Sequence, residues 1–137
     1  MNYARVLLGG LLAGLILNIG EFLLNGKVLA KQMGEMFSKC GIPQPAPSAF
    51  VILIVITFVL GIVIVCIYAA IRPRFGPGVK TAIVAGVIAW FCVYLYNNVV
   101  GAALGFVPGN ILVLALVWGL VEYCVGAMAG AWLYKEP

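Results

Sequence analysis

The sequence contains no histidine, and only 9% of its residues are charged. The absence of histidine excludes the usual axial haem ligand, the histidine-rich iron sites of membrane oxidases and the usual general base at neutral pH. The four cysteines, Cys40, Cys66, Cys92 and Cys124, are too far apart in sequence to form a close metal-ligand or redox pair. We therefore expect no metal, no cofactor and no catalytic residue, and we do not expect an enzyme.

Apolar residues make up 65% of the chain, compared with roughly half in soluble domains. This composition predicts a membrane protein. Eight basic and four acidic residues give a net charge of +4, but the basic residues are dispersed between apolar segments. That dispersion argues against a nucleic-acid partner and favours contact with anionic lipid headgroups of the bilayer.

Four apolar segments are long enough to cross a hydrocarbon core, which takes about 20 helical residues. They comprise residues 4–24, 49–71, 81–107 and 110–134. Each should be helical, because a backbone in lipid must satisfy its own hydrogen bonds. The sequence predicts an all-α membrane protein, a single antiparallel four-transmembrane-helix bundle in which the second helix is peripheral. Because four short helices enclose little volume, we expect a homo-oligomer or membership of a larger membrane complex.

Residues 27–40 lie between the first two segments. Their apolar residues recur at helical spacing, and the charged residues lie elsewhere around the helix; the apolar set includes Leu29, Met33, Met36 and Phe37. This pattern predicts a short amphipathic helix at the membrane interface, with a functional lid as the alternative. Cytoplasmic N- and C-termini would place five basic residues inside and three outside. That bias favours this orientation in a bacterial inner (plasma) membrane, although an inverted or dual topology is an open alternative.

The stretch LNIGEFLLNG puts polar groups into the end of the first segment. Its polar residues continue a stripe along one helix face that comprises Gly10, Gly14, Asn18, Glu21 and Asn25. Glycines allow another backbone to approach closely, and amides and carboxyl groups then meet protein rather than lipid tails. We therefore expect this face to pack inward against the third and fourth helices.

The fourth segment repeats this pattern, with a carboxyl group in line with small residues: Gly119, Glu122, Gly126 and Gly130. The third segment offers Tyr94, Asn97, Gly101 and Gly105. We interpret the glycines as helix-packing residues.

Glu122 lies in the middle of its segment, near the bilayer midplane, where ionisable groups are rare and costly. It is either a proton or cation site or a permanently neutral acid that hydrogen-bonds a neighbouring helix. Asn18 and Tyr94 are expected at its depth, whereas Glu21 and Asn97 should form a second layer nearer the outer surface, apart from Glu122 along the membrane normal.

The acid-bearing first segment, the lysine-rich GKVLAKQMGEMF that follows it and the closing GAMAGAW resemble small bacterial four-helix membrane proteins of unknown function. This resemblance implies no particular activity. In size, and in having a glutamate in the first span, the chain also resembles small multidrug transporters. In that family the glutamate lies near mid-membrane, whereas Glu21 lies near the end of its span, so the departure argues against drug–proton exchange.

The function that the sequence favours is transport or permeation of a small solute or cation. Glu122 would be the central ionisable group, with Glu21, Asn18, Asn97 and Tyr94 completing the candidate site. A non-catalytic accessory or scaffold subunit is the main alternative, and a membrane enzyme acting on lipid or quinone is a third.

Overall fold

The computed structural model describes residues 2–135, which contain helices and no strand. The α-helices in this range are α1 (Tyr3–Leu23), α2 (Ala30–Lys39), α3 (Pro47–Phe75), α4 (Val79–Ala89), α5 (Tyr96–Ala103) and α6 (Gly109–Leu133). Two π-helical segments occur as well: Leu24–Val28 extends α1, and Trp90–Leu95 joins α4 to α5.

Four continuous helices are long and apolar enough to cross a membrane. They are the first span (Tyr3–Val28), the second (Pro47–Phe75), the third (Val79–Ala103) and the fourth (Gly109–Leu133). The predicted all-α four-helix membrane bundle is confirmed. The first and last described residues lie together, since Arg5 Nη1 donates to the carbonyl of Lys135 over 2.5 Å. We call this the terminal end and the opposite end the distal end.

The first span is longer than predicted and the third is shorter. The π-helical turns of Leu24–Val28 carry the first helix beyond residue 24, and the N–H of Leu29 donates to the carbonyl of Leu24 over 2.7 Å. The third span ends at Ala103 because Gly105 has a φ of 82°. The N–H of Phe106 then reaches back to the carbonyl of Gly101 over 2.8 Å, which is a common way for a helix to end. The prediction that Gly105 is a helix-packing residue is therefore wrong.

The second span packs along the first. It is nevertheless the least buried of the four spans, in agreement with its predicted peripheral position. Gly61 is the point of closest approach, because a Cβ there would collide with the carbonyl oxygen of Gly10 and with the backbone of Gly14. Gly10 and Gly14 in turn face Ile62 and Phe58 of the second span. These two glycines are packing residues, as predicted, but their partner is the second helix. The sequence could not reveal this partner, because apolar side chains of Ile and Val surround most of the second helix.

The fourth span runs antiparallel to the first and is also in glycine-mediated contact with it. Gly9 lies against Gly130, and Gly126 lies against Leu17 and the carbonyl of Ala13. Gly86 brings the third span against the fourth in the same way, at the backbone of Cys124. Small residues at all these crossings let the backbones approach closely, which is how helices associate where water provides no driving force.

Helix α2 follows the first π-helical segment and lies at the distal end. Leu29, at its N-terminal boundary, is buried, and Met33 and Met36 are half-buried, whereas Lys31 and Lys39 are exposed. This division agrees with the amphipathic pattern of the sequence. α2 ends at Lys39, and Gly41, two residues later, has a φ of 63°.

Candidate functional site

Glu122 is the one acidic residue buried among the residues that the structure describes, with 6% of its surface exposed. The indole Nε1 of Trp118, one turn earlier in α6, donates to Glu122 Oε2 over 3.1 Å. Glu122 Oε1 is buried without a hydrogen-bond partner among residues 2–135. A buried polar atom without a partner is costly, so this oxygen can take up a proton, a cation or a polar ligand.

Gly20 of α1 provides the space for this carboxyl group. A Cβ on Gly20 would collide with the carboxyl carbon and Oε2 of Glu122. Glu21 is the next residue of α1, so it lies beside the contact between Gly20 and the Glu122 carboxyl group. The first and fourth spans thus bring together both acidic residues of the bundle core.

Two tyrosines lie beside the carboxyl groups. The ring of Tyr94 packs on Gly119, where a Cβ would come within 2.6 Å of Cε1. Tyr94 and Tyr123 meet edge to face, with ring centroids 5.6 Å apart and an interplanar angle of 66°. Tyr123 is buried and directly follows Glu122, and Gly119 lies one turn before Glu122, so both rings lie next to this acid. We call Glu21, Glu122, Tyr94 and Tyr123 the carboxyl cluster.

The expected separation of Glu21 and Glu122 into two depths is wrong. The rise of the backbone alone places the two residues at different depths, but the direction of each side chain also decides where its carboxyl group lies. Helical side chains lean towards the N-terminus of their own helix. Because α1 and α6 are antiparallel, Glu21 leans towards the terminal end and Glu122 towards the distal end. The two carboxyl groups therefore approach each other.

Asn25 holds the Glu21 carboxyl group from the next turn. Its Nδ2 donates to Glu21 Oε2 over 2.6 Å and to the Glu21 carbonyl over 3.3 Å. Glu21 is half-buried, so it lies between the buried Glu122 and the exposed Asn25. Polar groups thus continue from the centre of the bundle towards its distal end.

Both π-helical segments flank this region. Asn25 lies in the first, and the amides of Asn97 and Asn98, just after the second, donate to the carbonyls of Val93 and Tyr94 over 2.6 and 2.9 Å. A side chain that bonds the carbonyl four residues earlier competes with the backbone ladder and distorts the helix. π-Helical turns of this kind occur frequently at functional sites.

The second π-helical segment also changes which asparagine faces inward. Asn97 is exposed, whereas Asn98 is half-buried and lines a cleft at the distal end of the bundle. A π-helical turn adds a residue to the helix and rotates everything that follows it. Regular α-helical spacing therefore pointed to Asn97, and the structure places Asn98 in that position.

Asn18 does not join the carboxyl cluster. Its Nδ2 donates to the carbonyl of Gly14 over 2.9 Å and to that of Ile54 in the second span over 3.4 Å. It joins the first and second spans on the side occupied by Gly14. Gly101, the remaining glycine of the predicted set, contacts only the side chain of Val107 at its own helix end.

A cleft of about 250 Å³ opens beside the carboxyl cluster at the distal end. Helix α2, the first π-helical segment, α5 and the start of α6 form its walls. Tyr94 belongs both to the cleft wall and to the carboxyl cluster. Its lining includes Leu24, Asn25, Gln32, Met33, Tyr94 and Asn98.

Three residues of the site escaped the sequence argument: Gly20, Trp118 and Tyr123. A signal for Trp118 was present, since it precedes Glu122 by four residues and so lies on the same helix face. Gly20 and Tyr123 each adjoin an acid in the sequence. A glycine or a tyrosine beside an acid is too common to indicate a contact between helices.

Within residues 2–135, Asn25 and Trp118 are the side chains that hydrogen-bond Glu21 and Glu122, and no basic side chain does so. The chain between Lys80 and Lys135 contains no basic residue, and Trp118 is the hydrogen-bond donor to Glu122. Within residues 2–135 there is no group of three or more histidine, cysteine, aspartate or glutamate residues that could hold a metal ion. The pair can exchange protons, or it can hold a small cation together with water.

Comparison of the chain with protein-family models, with curated proteins and with solved structures finds no match. The residues themselves define the molecule as an integral membrane protein with a carboxyl pair inside its helix bundle.

Proposed function

We propose that this protein transports or conducts a small cation, the proton included, or a small solute coupled to one, with Glu122 as the central ionisable group. The observation that supports the proposal is the buried Glu122 Oε1, which has no partner among the described residues and lies beside a second acid, Glu21. A purely structural acid would satisfy both of its oxygens.

The repulsion between the two carboxylates provides a mechanism. Two negative charges repel strongly in a medium of low dielectric constant, and a proton or a small cation held between them removes the repulsion. The cation would leave towards the distal end through Glu21, whose carboxyl group is held by Asn25. Tyr94 and Tyr123 would supply the aromatic wall that limits access of water.

The placement of basic residues supports an orientation with the terminal end in the cytoplasm of a bacterium. Arg5, Arg72, Arg74, Lys80 and Lys135 lie near the terminal end, and Lys27, Lys31 and Lys39 lie near the distal end. Basic residues favour the cytoplasmic side. A homo-oligomer would complete the pathway, because four helices enclose only a narrow space.

The test is ion flux in liposomes that contain the purified protein. A trapped pH-sensitive dye reports proton entry, and a sodium-sensitive dye reports Na⁺ entry, under an imposed membrane potential. Glu122→Gln keeps the size of the side chain and should abolish flux. Glu35→Gln, on the exposed face of α2, changes the net charge equally and should leave flux unchanged.

Two results would contradict the proposal. One is equal flux in Glu122→Gln and the unmodified protein. The other is no flux of protons, Na⁺ or K⁺ in the unmodified protein, combined with its co-purification with a fixed membrane partner, which would favour an accessory subunit.

A further inference from the structure

The cleft at the distal end is a distinct feature from the carboxyl cluster. It lies between α2, which covers it on one side, and the first two turns of α6, which contribute Ile111 and Ala115. Neither Glu21 nor Glu122 lines it. The cleft therefore needs an explanation that does not depend on ion movement.

The lining is uncharged. Apolar groups form most of the wall, among them Leu24, Met33 and the ring of Tyr94. Lys31 and Glu35, the charged neighbours on α2, are exposed and do not line the cleft. An uncharged wall gives no compensation for the desolvation of an ion, so the cleft favours a neutral occupant.

Besides the hydroxyl of Tyr94, three amide side chains provide the polar part of the lining: Asn25, Gln32 and Asn98. Asn25 and Asn98 use their Nδ2 groups within the first and third spans, and no hydrogen bond to their Oδ1 atoms occurs among residues 2–135. The amide of Gln32 makes no hydrogen bond within the same range. Hydrogen-bond donors and acceptors are therefore both available to a ligand on a mainly apolar wall.

We propose that the cleft binds a small neutral molecule that has an apolar body and an amide or hydroxyl group. Asn98 and Gln32 bind the polar group, and Met33 and Tyr94 pack on the apolar body. A few fixed polar groups on an apolar wall are typical of small-molecule sites. Since a cavity of about 150 Å³ holds benzene, a volume of about 250 Å³ fits roughly ten non-hydrogen atoms.

The probe for this site is 4-fluorobenzamide, a neutral aromatic amide of suitable size. Fluorine NMR of the probe with the protein in nanodiscs should show saturable binding that empty nanodiscs lack. 4-Fluorobenzoate has the same shape and carries a charge, and it should bind at least tenfold more weakly. Asn98→Leu should weaken binding of the amide roughly tenfold, the effect of losing about one hydrogen bond.

Asn97→Leu is the matched control, because Asn97 is the preceding residue, makes the same kind of bond to a carbonyl and lies outside the cleft. It should change binding less than twofold. Gln32→Leu, on the exposed helix α2, should also weaken binding and avoids any folding defect in the third span. Equal binding of the fluorobenzamide and the fluorobenzoate, equal effects of Asn97→Leu and Asn98→Leu, or no binding beyond that of empty nanodiscs would overturn the proposal. These results are independent of whether the protein conducts ions.

Discussion

The backbone of Gly20 lies directly against the carboxyl group of Glu122, with no room for a methyl group between them. This contact brings the first and fourth spans together at the level of the candidate site. It also keeps Glu122 next to Glu21, on which the proposed function depends.

Gly20→Ala should therefore disturb both packing and function. The added Cβ would collide with the Glu122 carboxyl group, so the side chain or the helices must move. Because the atoms in the way belong to the end of a flexible side chain, we expect a cost of about 1 kcal/mol, the low end of the range for overpacking. Thermal unfolding in detergent should show the destabilisation, and flux should fall. Gly34→Ala, on α2 with open space around it, should leave stability unchanged or slightly raised. A stable Gly20→Ala variant with full flux would contradict this contact.

Gly61→Ala should weaken the contact between the first and second spans. Its Cβ would lie within 2.6 Å of Gly14 Cα, and backbone atoms cannot move aside as a flexible side chain can. We expect a loss of about 2 kcal/mol or more in the free energy of unfolding, measured by SDS titration. Gly109→Ala provides the comparison, because a Cβ at that position would meet open space. If both variants unfold alike, the second span does not pack as described.

Trp118→Phe should change the environment of Glu122 without opening a large cavity. It removes the only hydrogen bond to Glu122 among the described residues, so the infrared carboxyl band that disappears in Glu122→Gln should shift. Trp90→Phe removes an indole hydrogen bond to the carbonyl of Leu116 over 3.2 Å and should leave that band in place. An unshifted band in Trp118→Phe would mean that the indole does not bind the carboxyl group.

Gly105→Ala should destabilise the end of the third span. A φ of 82° is accessible to glycine and costs other residues about 1 kcal/mol. Gly105→Asn should be milder, because asparagine tolerates this conformation better than alanine. The order of stabilities, measured by thermal unfolding, should be glycine, then asparagine, then alanine. An alanine variant as stable as the unmodified protein would rule out the helix-ending role.

The sequence was sufficient for the four spans, since length and hydropathy are local properties of the chain. It also indicated Glu122, because an acid in the middle of an apolar helix is conspicuous. It could not reveal that Gly10 and Gly14 face the second span, since a helix rich in Ile and Val carries no marked face. Partner choice between apolar helices depends on shape complementarity, which spacing alone does not encode.

Two further features depended on geometry that the sequence does not carry. The π-helical segment Trp90–Leu95 places Asn98, and not Asn97, at the cleft. Residue spacing could not show this, because it assumes a regular α-helix. Glu21 and Glu122 approach each other because side chains on two antiparallel helices point in opposite directions along the helix axis. Both differences lie at the candidate site, where departures from regular structure are expected.

The most direct test of the central claim is whether Glu122 changes its protonation state in the membrane. Infrared difference spectra of the protein in lipid, recorded between acidic and alkaline pH and compared with those of Glu122→Gln, isolate its carboxyl band. We expect the protonated carboxyl band of Glu122 to be present at acidic pH and lost at alkaline pH. A Glu122 band that stays constant at every pH at which the protein is folded would identify a structural acid and contradict its role as the central ionisable group.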